Sequence, residues 1–569
     1  LPSRLRSIGN YAFEGCVSLQ EIRIPPMVET IGNNAFASCD ELSDVYVYLA
    51  NAKDLKINQG TFGGWATALL HVPYFARNSY YWDTQWSQFV NVMEFDEPYE
   101  TFYTNNDMLL DSESGTIEGT PDATFLAEAG LTVDGVTQAL DEIELNSNGD
   151  RSSSLIPTDG GVITAKRARI VIKVTANKWH FFCFPFDIPF DRTEYEGESV
   201  WRQYDGAARS RRQGGWKNLT AGTTHLDAGR GYIFFGNKTG DLVLNVENPA
   251  ISSDDVATTL EQYSSDSPLD ASWNMVGNPY LSYYNIDALA YESPITVWTG
   301  NGYEAYRPGD DDYEFYPYQA FFVQATDEGS EIGYDAQARE TYNSSLTTLA
   351  KARKFRAMKA ADPSRLFINL ELAGNAGETY LDKTRVVFND RAAADYELKC
   401  DAGKFFSTER NAEIYTLDSQ NAEYSINERP VGDGTVALGV QVNVEGTYTI
   451  SAQRMDVRMI LTDHELGTEH DLSAGGYEFS MGKGRDNSRF TLRIASEETS
   501  IEEMASMTGM EIDLENGISI RNIADDASVG VYTLSGTPVA SRTGSGTIPV
   551  QKGMYVLAIG NYSSKIAVK

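Results

Sequence analysis

The stretch Ile8–Val47, "IGNYAFEGCVSLQEIRIPPMVETIGNNAFASCDELSDVYV", states one pattern twice. Every landmark returns 23 residues on: Ile8 as Ile31, Gly9 as Gly32, Phe13 as Phe36, Cys16 as Cys39, Leu19 as Leu42 and Ile22 as Val45. A period of roughly 20–29 residues with aliphatic side chains at fixed places predicts a leucine-rich solenoid, because one such turn cannot bury its apolar face without a stacked neighbour. Within each copy a short alternating segment, Glu21-Ile22-Arg23-Ile24 and then Asp44-Val45-Tyr46-Val47, turns aliphatic side chains inward and polar or aromatic ones outward. A degenerate third turn is expected at Phe62, and "LLHVPYFARNSYYWDTQWSQFVNV" from Leu69 is expected to cap the open end. Two complete repeats make a thin solenoid and Leu1 already falls inside the pattern, so further rungs upstream are expected.

The remaining chain reads as β throughout. At 569 residues, and with about one domain per 150, four domains are expected. The apolar fraction of 41% is that of folded protein. Residues 96–345 contain a looser echo: "WHFFCFPF" from Trp179 and "WNMVGNPY" from Trp273, each followed by a tryptophan strand (Trp201, Trp298), a glycine-aromatic turn (Gly215-Trp216, Gly302-Tyr303) and a closing apolar strand. The echo predicts two related β units. Residues 346–363 are alanine-rich and basic and read as a linker ended by Pro363. Seven short alternating strands in 364–497 predict a β-sandwich, and 498–569 a smaller one. The fold class is therefore mostly β, a solenoid fragment at residues 1–95 followed by β-sandwich domains.

The formal charge of −35 opposes a nucleic-acid partner, because phosphate binding requires a basic surface. The most apolar segment, from Trp179, is broken by Pro185, Asp187 and Pro189 and falls short of the roughly 18 residues of a membrane span. No transmembrane segment is expected.

Catalytic motifs are lacking as well. His464, Glu465 and His470 in "DHELGTEHDL" miss the HExxH spacing, and no nucleophile elbow or phosphate loop occurs. No enzyme activity and no cofactor are expected. The four cysteines form no CxxC pair. All read as buried thiols, with Cys16 and Cys39 one rung apart: stacked interior thiols, or alternatively a disulfide. Asn146, Asn148 and Asp150 alternate oxygen ligands as a weak calcium candidate, without the distal glutamate of a full loop. "GDDDYE", with Asp310, Asp311 and Asp312, carries charge without that spacing.

Binding is the better-supported role. Outward Glu21, Arg23, Asp44, Tyr46 and Tyr48 form the candidate recognition face, and Tyr80, Tyr81, Tyr303 and Tyr306 are further aromatics placed on strand faces or loops. Tyrosine serves both protein hot spots and sugar stacking. The leading expectation is recognition of a host or matrix protein through the repeat face. The alternative is a surface glycan held by aromatics of the middle β units.

The wording "IGxxAFxxCxxLxxIxIP", with the terminal "HVPYFARNSYYW" segment, resembles the BspA-type leucine-rich repeats of bacterial surface proteins over residues 1–95. That resemblance implies adhesion and an extracellular place, either secreted or on the outer-membrane surface. The phrase "WNMVGNPY" is similar to a module common in secreted proteins of Gram-negative gut and oral bacteria. Val531–Val539 and Gly553–Ile559 resemble the C-terminal sorting domain of the type IX secretion pathway, which implies export across the outer membrane and exchange for a lipid-linked anchor.

Overall fold

The computed structural model describes residues 1–569 apart from 3–4, 50, 59, 64, 74–75, 95–100, 105–106, 118, 150, 221, 312, 343–364, 375–378, 390, 431–433, 454–457, 495–509, 515–516, 526, 534–537, 560–561 and 569. The linker read at 346–363 lies outside the described residues. The chain divides into two compact units, Leu1–Ala360 with Leu398–Ala402, and Ala361–Glu397 with Gly403–Lys569.

The first unit opens with the solenoid. Strands Glu21–Ile24, Asp44–Val47, Leu69–Val72 and Asn91–Glu94 form a parallel four-stranded sheet. Successive strands are offset by 23, 25 and 22 residues, one turn of chain apiece. Ile22, Ile24, Val45, Val47, Leu70 and Val72 are buried, while the alternate residues face away. Behind the sheet the aromatic rings of the turns stack: Phe36 lies between Phe13, 5.1 Å away, and Phe62, 5.0 Å away, with all three nearly parallel. The capping segment closes this column with buried Tyr80, Trp86 and Phe89. Tyr80 Oη donates to the Leu49 carbonyl at 2.7 Å, and Trp86 Nε1 to that of Leu55 at 3.3 Å, so their polar atoms meet backbone groups the last turn leaves open.

A second parallel array follows, which the turn spacing does not reveal. Strands Thr101–Thr104, Asp122–Phe125, Thr137–Ser147 and Val162–Val174 pair in parallel, and so do Met108–Leu110, Gly130–Asp134 and Ser154–Thr158. The chain thus passes back and forth between two ladders, burying Phe125, Leu131, Val133, Ile143, Leu145 and Ile170 between them. Its last strand, Val162–Val174, pairs antiparallel with Gly240–Glu247 on its free edge and so joins the array to the first β unit.

The two β units repeat one another strand for strand. In the first, Trp179–Cys183, Gly231–Gly236, Ser199–Tyr204 and Trp216–Asn218 lie in that spatial order. In the second, Trp273–Gly277, Ala320–Gln324, Ile295–Trp298 and Tyr303–Tyr306 do the same. The accessory pairs also match: Ile188–Pro189 with His225–Leu226 corresponds to Tyr283–Asn285 with Glu314–Phe315, and Thr193–Tyr195 with Gly240–Glu247 to Leu289–Ala290 with Glu331–Tyr334. One sequence landmark is corrected by register. Trp298 opposes Tyr303 as Tyr204 opposes Trp216, so Trp298 corresponds to Tyr204 and not to Trp201.

The two four-stranded sheets pack face to face. Phe181 stacks on Trp298 with ring centres 4.9 Å apart, and Trp298 Nε1 donates to the Trp179 carbonyl at 3.0 Å. Contact is close at Gly277, where a Cβ would stand 2.3 Å from that of Cys183. Burial pushes the Cys183 thiol up to about 12, which keeps it protonated and inert.

In the second unit one continuous ribbon of strand pairing runs from Thr468–Asp471 to Tyr477–Met481. It curls until its ends meet: Tyr477 Oη donates to Asp463 Oδ2 at 2.9 Å, and Phe479 packs on Phe490 at 4.8 Å. Leu370, Val386, Ile414, Leu438, Ile450 and Leu461 fill the interior. The C-terminal strands form two further sheets, one of three and one of four strands, over a core that includes Ile518, Ile520, Val529, Val531, Leu557 and Ile566. The mostly β class with an N-terminal solenoid holds.

Candidate functional site

The outward row of the solenoid sheet is a connected assembly. Register aligns Glu21 with Asp44 and Leu69, and Arg23 with Tyr46, His71 and Met93. Arg23 Nε donates to Glu21 Oε1 at 2.6 Å and its Nη1 to Tyr48 Oη at 2.8 Å. The guanidinium carbon sits 4.3 Å from the centre of the Tyr46 ring, a cation–π contact. On its far side Tyr46 stacks on His71, centres 4.0 Å apart and planes within 6°. His71 Nε2 is 2.7 Å from Asp44 Oδ1, and Ser43 Oγ donates to Asp44 Oδ2 at 2.6 Å. All five residues expected from strand alternation therefore fall on one face and touch one another or a shared neighbour.

These contacts set the charges. The bonds from Ser43 and then from His71 hold the Asp44 carboxyl below its ordinary range, and those from Arg23 to Glu21 and Tyr48 raise the guanidinium above its own. Partial burial, then the Glu21 and Asp44 carboxylates, raises the Tyr46 phenol. At neutral pH the face thus presents a fixed anion, a fixed cation and an uncharged phenol. The Arg23 side chain remains 53% exposed and Met93 52%. Chemically this is a contact surface: a guanidinium held over an aromatic ring is preorganised for a partner's carboxylate, and the rings and thioether offer apolar area.

His71 is the member that sequence reasoning missed. It stands in "LLHV", whose alternation repeats that of "DVYV", inside the segment from Leu69 that the sequence reads as the cap.

Other expected sites fare differently. Tyr80 is fully buried and belongs to the cap, whereas Tyr81 is exposed beside Trp82. Tyr303 packs on Trp298 and Phe181 between the β units, and Tyr306 on Tyr313; both are half-buried. Of the calcium candidates, Asn146 directs its amide nitrogen at the Phe125 carbonyl, 3.0 Å away, Asn148 is exposed, and Asp150 lies outside the described residues. Asp310 and Asp311 are engaged by Arg307, the latter through its backbone amide at 2.7 Å; Asp312 is not described. His464 and His470 have separate partners, Thr491 Oγ1 and the Gly475 carbonyl. No group of three or more His, Cys, Asp or Glu side chains placed to hold a metal occurs among the described residues.

The cysteines need correction. Cys39 and Cys183 are buried, Cys16 is exposed and Cys400 is partly so; all are free thiols. Cys39 Sγ donates to the Phe13 carbonyl at 3.1 Å rather than joining Cys16.

Comparison with known families agrees with the solenoid. Residues 1–67 match the family described as BspA type Leucine rich repeat region (6 copies). Residues 291–494, from within the second β unit to the strand Gly484–Ile494 of the curled sheet, match a domain of unknown function (DUF8693). No curated protein matches the chain closely enough to count as a relative. Among the described residues no helix is long and apolar enough to cross a membrane.

Proposed function

We propose that this chain is a non-enzymatic binding protein of the bacterial surface, whose solenoid sheet recognises a host or matrix protein. The observation that carries this reading is the Arg23–Tyr46–His71 stack: three side chains of the types that dominate protein interfaces or extend them, in one register, on the outer face of a rigid parallel sheet. The likeness of residues 1–67 to BspA type repeats supports it, because solenoids present extended faces built for contact. The β domains that follow act as a spacer. The C-terminal sandwich acts as the sorting and anchoring element, a role supported by the wording of its hairpin and final strands.

Immobilised fibronectin, laminin and collagens, probed with the whole chain and with the Arg23→Ala/Tyr46→Ala variant, test the first claim. Binding by the parent and loss by the variant are expected; equal binding by both moves recognition elsewhere. Removal of residues 510–569 tests the second in a Gram-negative host carrying the type IX machinery. The shortened protein is expected to stay in the periplasm, and its unchanged arrival at the surface would end the sorting claim.

A further inference from the structure

The two β units differ at two insertions, and the insertions meet. In the first unit the residues 205–215, including the short helix Gly206–Ser210, connect the strands that four residues, 299–302, connect in the second. In the second unit residues 260–272 precede Trp273, where 175–178 suffice before Trp179. Arg212 Nε donates to Asp270 Oδ2 at 2.9 Å, clamping one insertion to the other. The Tyr263 ring lies directly on Gly206, where a Cβ would come within 2.5 Å of the ring and 2.3 Å of the Trp273 carbonyl.

Between them opens a cleft of 450 Å³, lined among others by Gln203, Tyr204, Arg230, Glu261, Tyr263 and Asn274, within the size range of small-ligand sites. Tyr263 is held from two directions: Gly206 backs the Cδ2–Cε2 side of its ring, and its hydroxyl bonds to Glu261 Oε2. The Gln203 amide and Glu261 Oε1 have no hydrogen-bond partner among the described residues, and Arg230 is 3.7 Å from Asp227. Amide, guanidinium and carboxylate each offer paired coplanar hydrogen-bonding atoms. Such pairs suit the neighbouring hydroxyls of a sugar ring, and an aromatic face suits its C–H side. Arg230 and Glu261 carry opposite charges, so the cleft has no excess of either sign to recruit an ion.

We propose that this cleft binds an uncharged oligosaccharide, with Tyr263 as the stacking surface and Gln203, Arg230 and Glu261 as hydroxyl partners. The site is independent of the solenoid face, and the full chain would then hold two ligands of different chemistry.

Calorimetric titration of the full chain with cellohexaose, xylohexaose, mannohexaose, maltohexaose and laminarihexaose tests it. Saturable binding of at least one is expected, weakened about tenfold or more by Tyr263→Ala, a loss of roughly 1.4 kcal/mol. Gln203→Ala, which removes no hydrogen bond to the described residues, is expected to weaken it severalfold with an unchanged melting profile, so the claim survives a folding defect in the tyrosine variant. Arg23→Ala/Tyr46→Ala is expected to leave the titration as it was. Failure of every sugar to bind, or binding that persists unchanged in both cleft variants, overturns the proposal.

Discussion

The imidazole of His71 lies flat against the phenol ring of Tyr46, at 4.0 Å between centres, while its Nε2 meets the Asp44 carboxylate at 2.7 Å. Three consecutive rungs of the solenoid are tied together through this pair, because Arg23 covers the other face of the same ring. The outer face is therefore a preformed surface whose side chains lose little freedom on contact, which is where binding energy is retained.

Removing that surface is expected to weaken partner binding without unfolding the solenoid. Tyr46→Ala and Arg23→Ala are each predicted to cost about 1–3 kcal/mol of affinity, the range of interface anchors. Melting temperature is expected to stay nearly constant, since the sheet interior is built from Val45, Val47, Ile22 and Ile24. Surface plasmon resonance and a thermal scan on the same samples give both readings, and a loss of stability matching the loss of affinity would assign these residues a structural role.

Inside the solenoid the expected response is the reverse. Phe36 is fully buried and sandwiched between Phe13 and Phe62, so Phe36→Ala is predicted to destabilise by about 3–5 kcal/mol. Phe13 is partly exposed and, among the described residues, stacks on Phe36 alone, so its truncation in this chain is predicted to cost distinctly less. Amide exchange of the strands Glu21–Ile24 and Asp44–Val47 in the full chain reports this locally; equal protection in both variants would show that the column is not what holds the turns together.

What the sequence made legible, and what it did not, follows from where repetition is strict. The 23-residue offset carried rung, strand and facing together, so Arg23 and Tyr46 could be placed side by side before any coordinates. His71 is hidden because the next offset is 25 and the aromatic-rich segment around it reads as a cap. The parallel array at 101–174 escaped because its turns vary in length and share no wording. Its long strand Thr137–Ser147 alternates inside and outside much as an antiparallel strand would. Equivalence to Cys39 gives Cys16 the same place in the turn, but Cys39 is buried and Cys16 exposed. Tyr303 looked like surface because nothing local in sequence shows that two sheets close on each other.

That sheet-on-sheet contact gives a further prediction. At Gly277 a methyl group would meet Cys183 Cβ at 2.3 Å and the Gln319 carbonyl oxygen at 2.5 Å, neither of which can swing aside. Gly277→Ala is expected to push the two β units apart at a cost of about 1–3 kcal/mol, typical of overpacking. The buried Cys183 thiol is the reporter: reaction with a thiol reagent under native conditions should be negligible in the parent and measurable in the variant. An equally unreactive variant would show that the interface has room to adjust.

The second unit carries a titrating group deep in its curled sheet. Glu413 is fully buried, both of its oxygens accept from the Ser407 amide at 3.1 Å, and burial raises its carboxyl to about 7 despite the nearby Lys404 and Arg410 cations. Those cations are committed to Asp382, which sits 2.6 Å from Lys404 Nζ and also bonds to Arg410 Nη1. The sign follows from proton counting. Between the unfolded carboxyl value near 4.3 and the folded value of about 7, the native state binds the extra proton. Stability contributed by this group is therefore full below the lower value and falls as pH rises through the higher one, by about 4 kcal/mol in all. Glu413→Gln keeps the shape, removes the ionisation and is expected to flatten that decline, so the variant should gain on the parent as pH rises from about 4 to about 7, the window set by those two values. Denaturant midpoints of the second unit's transition, taken across this range, provide the measurement. Parallel curves for parent and variant would mean that Glu413 is ionised throughout, held so by Lys404 and Arg410 more strongly than burial opposes it.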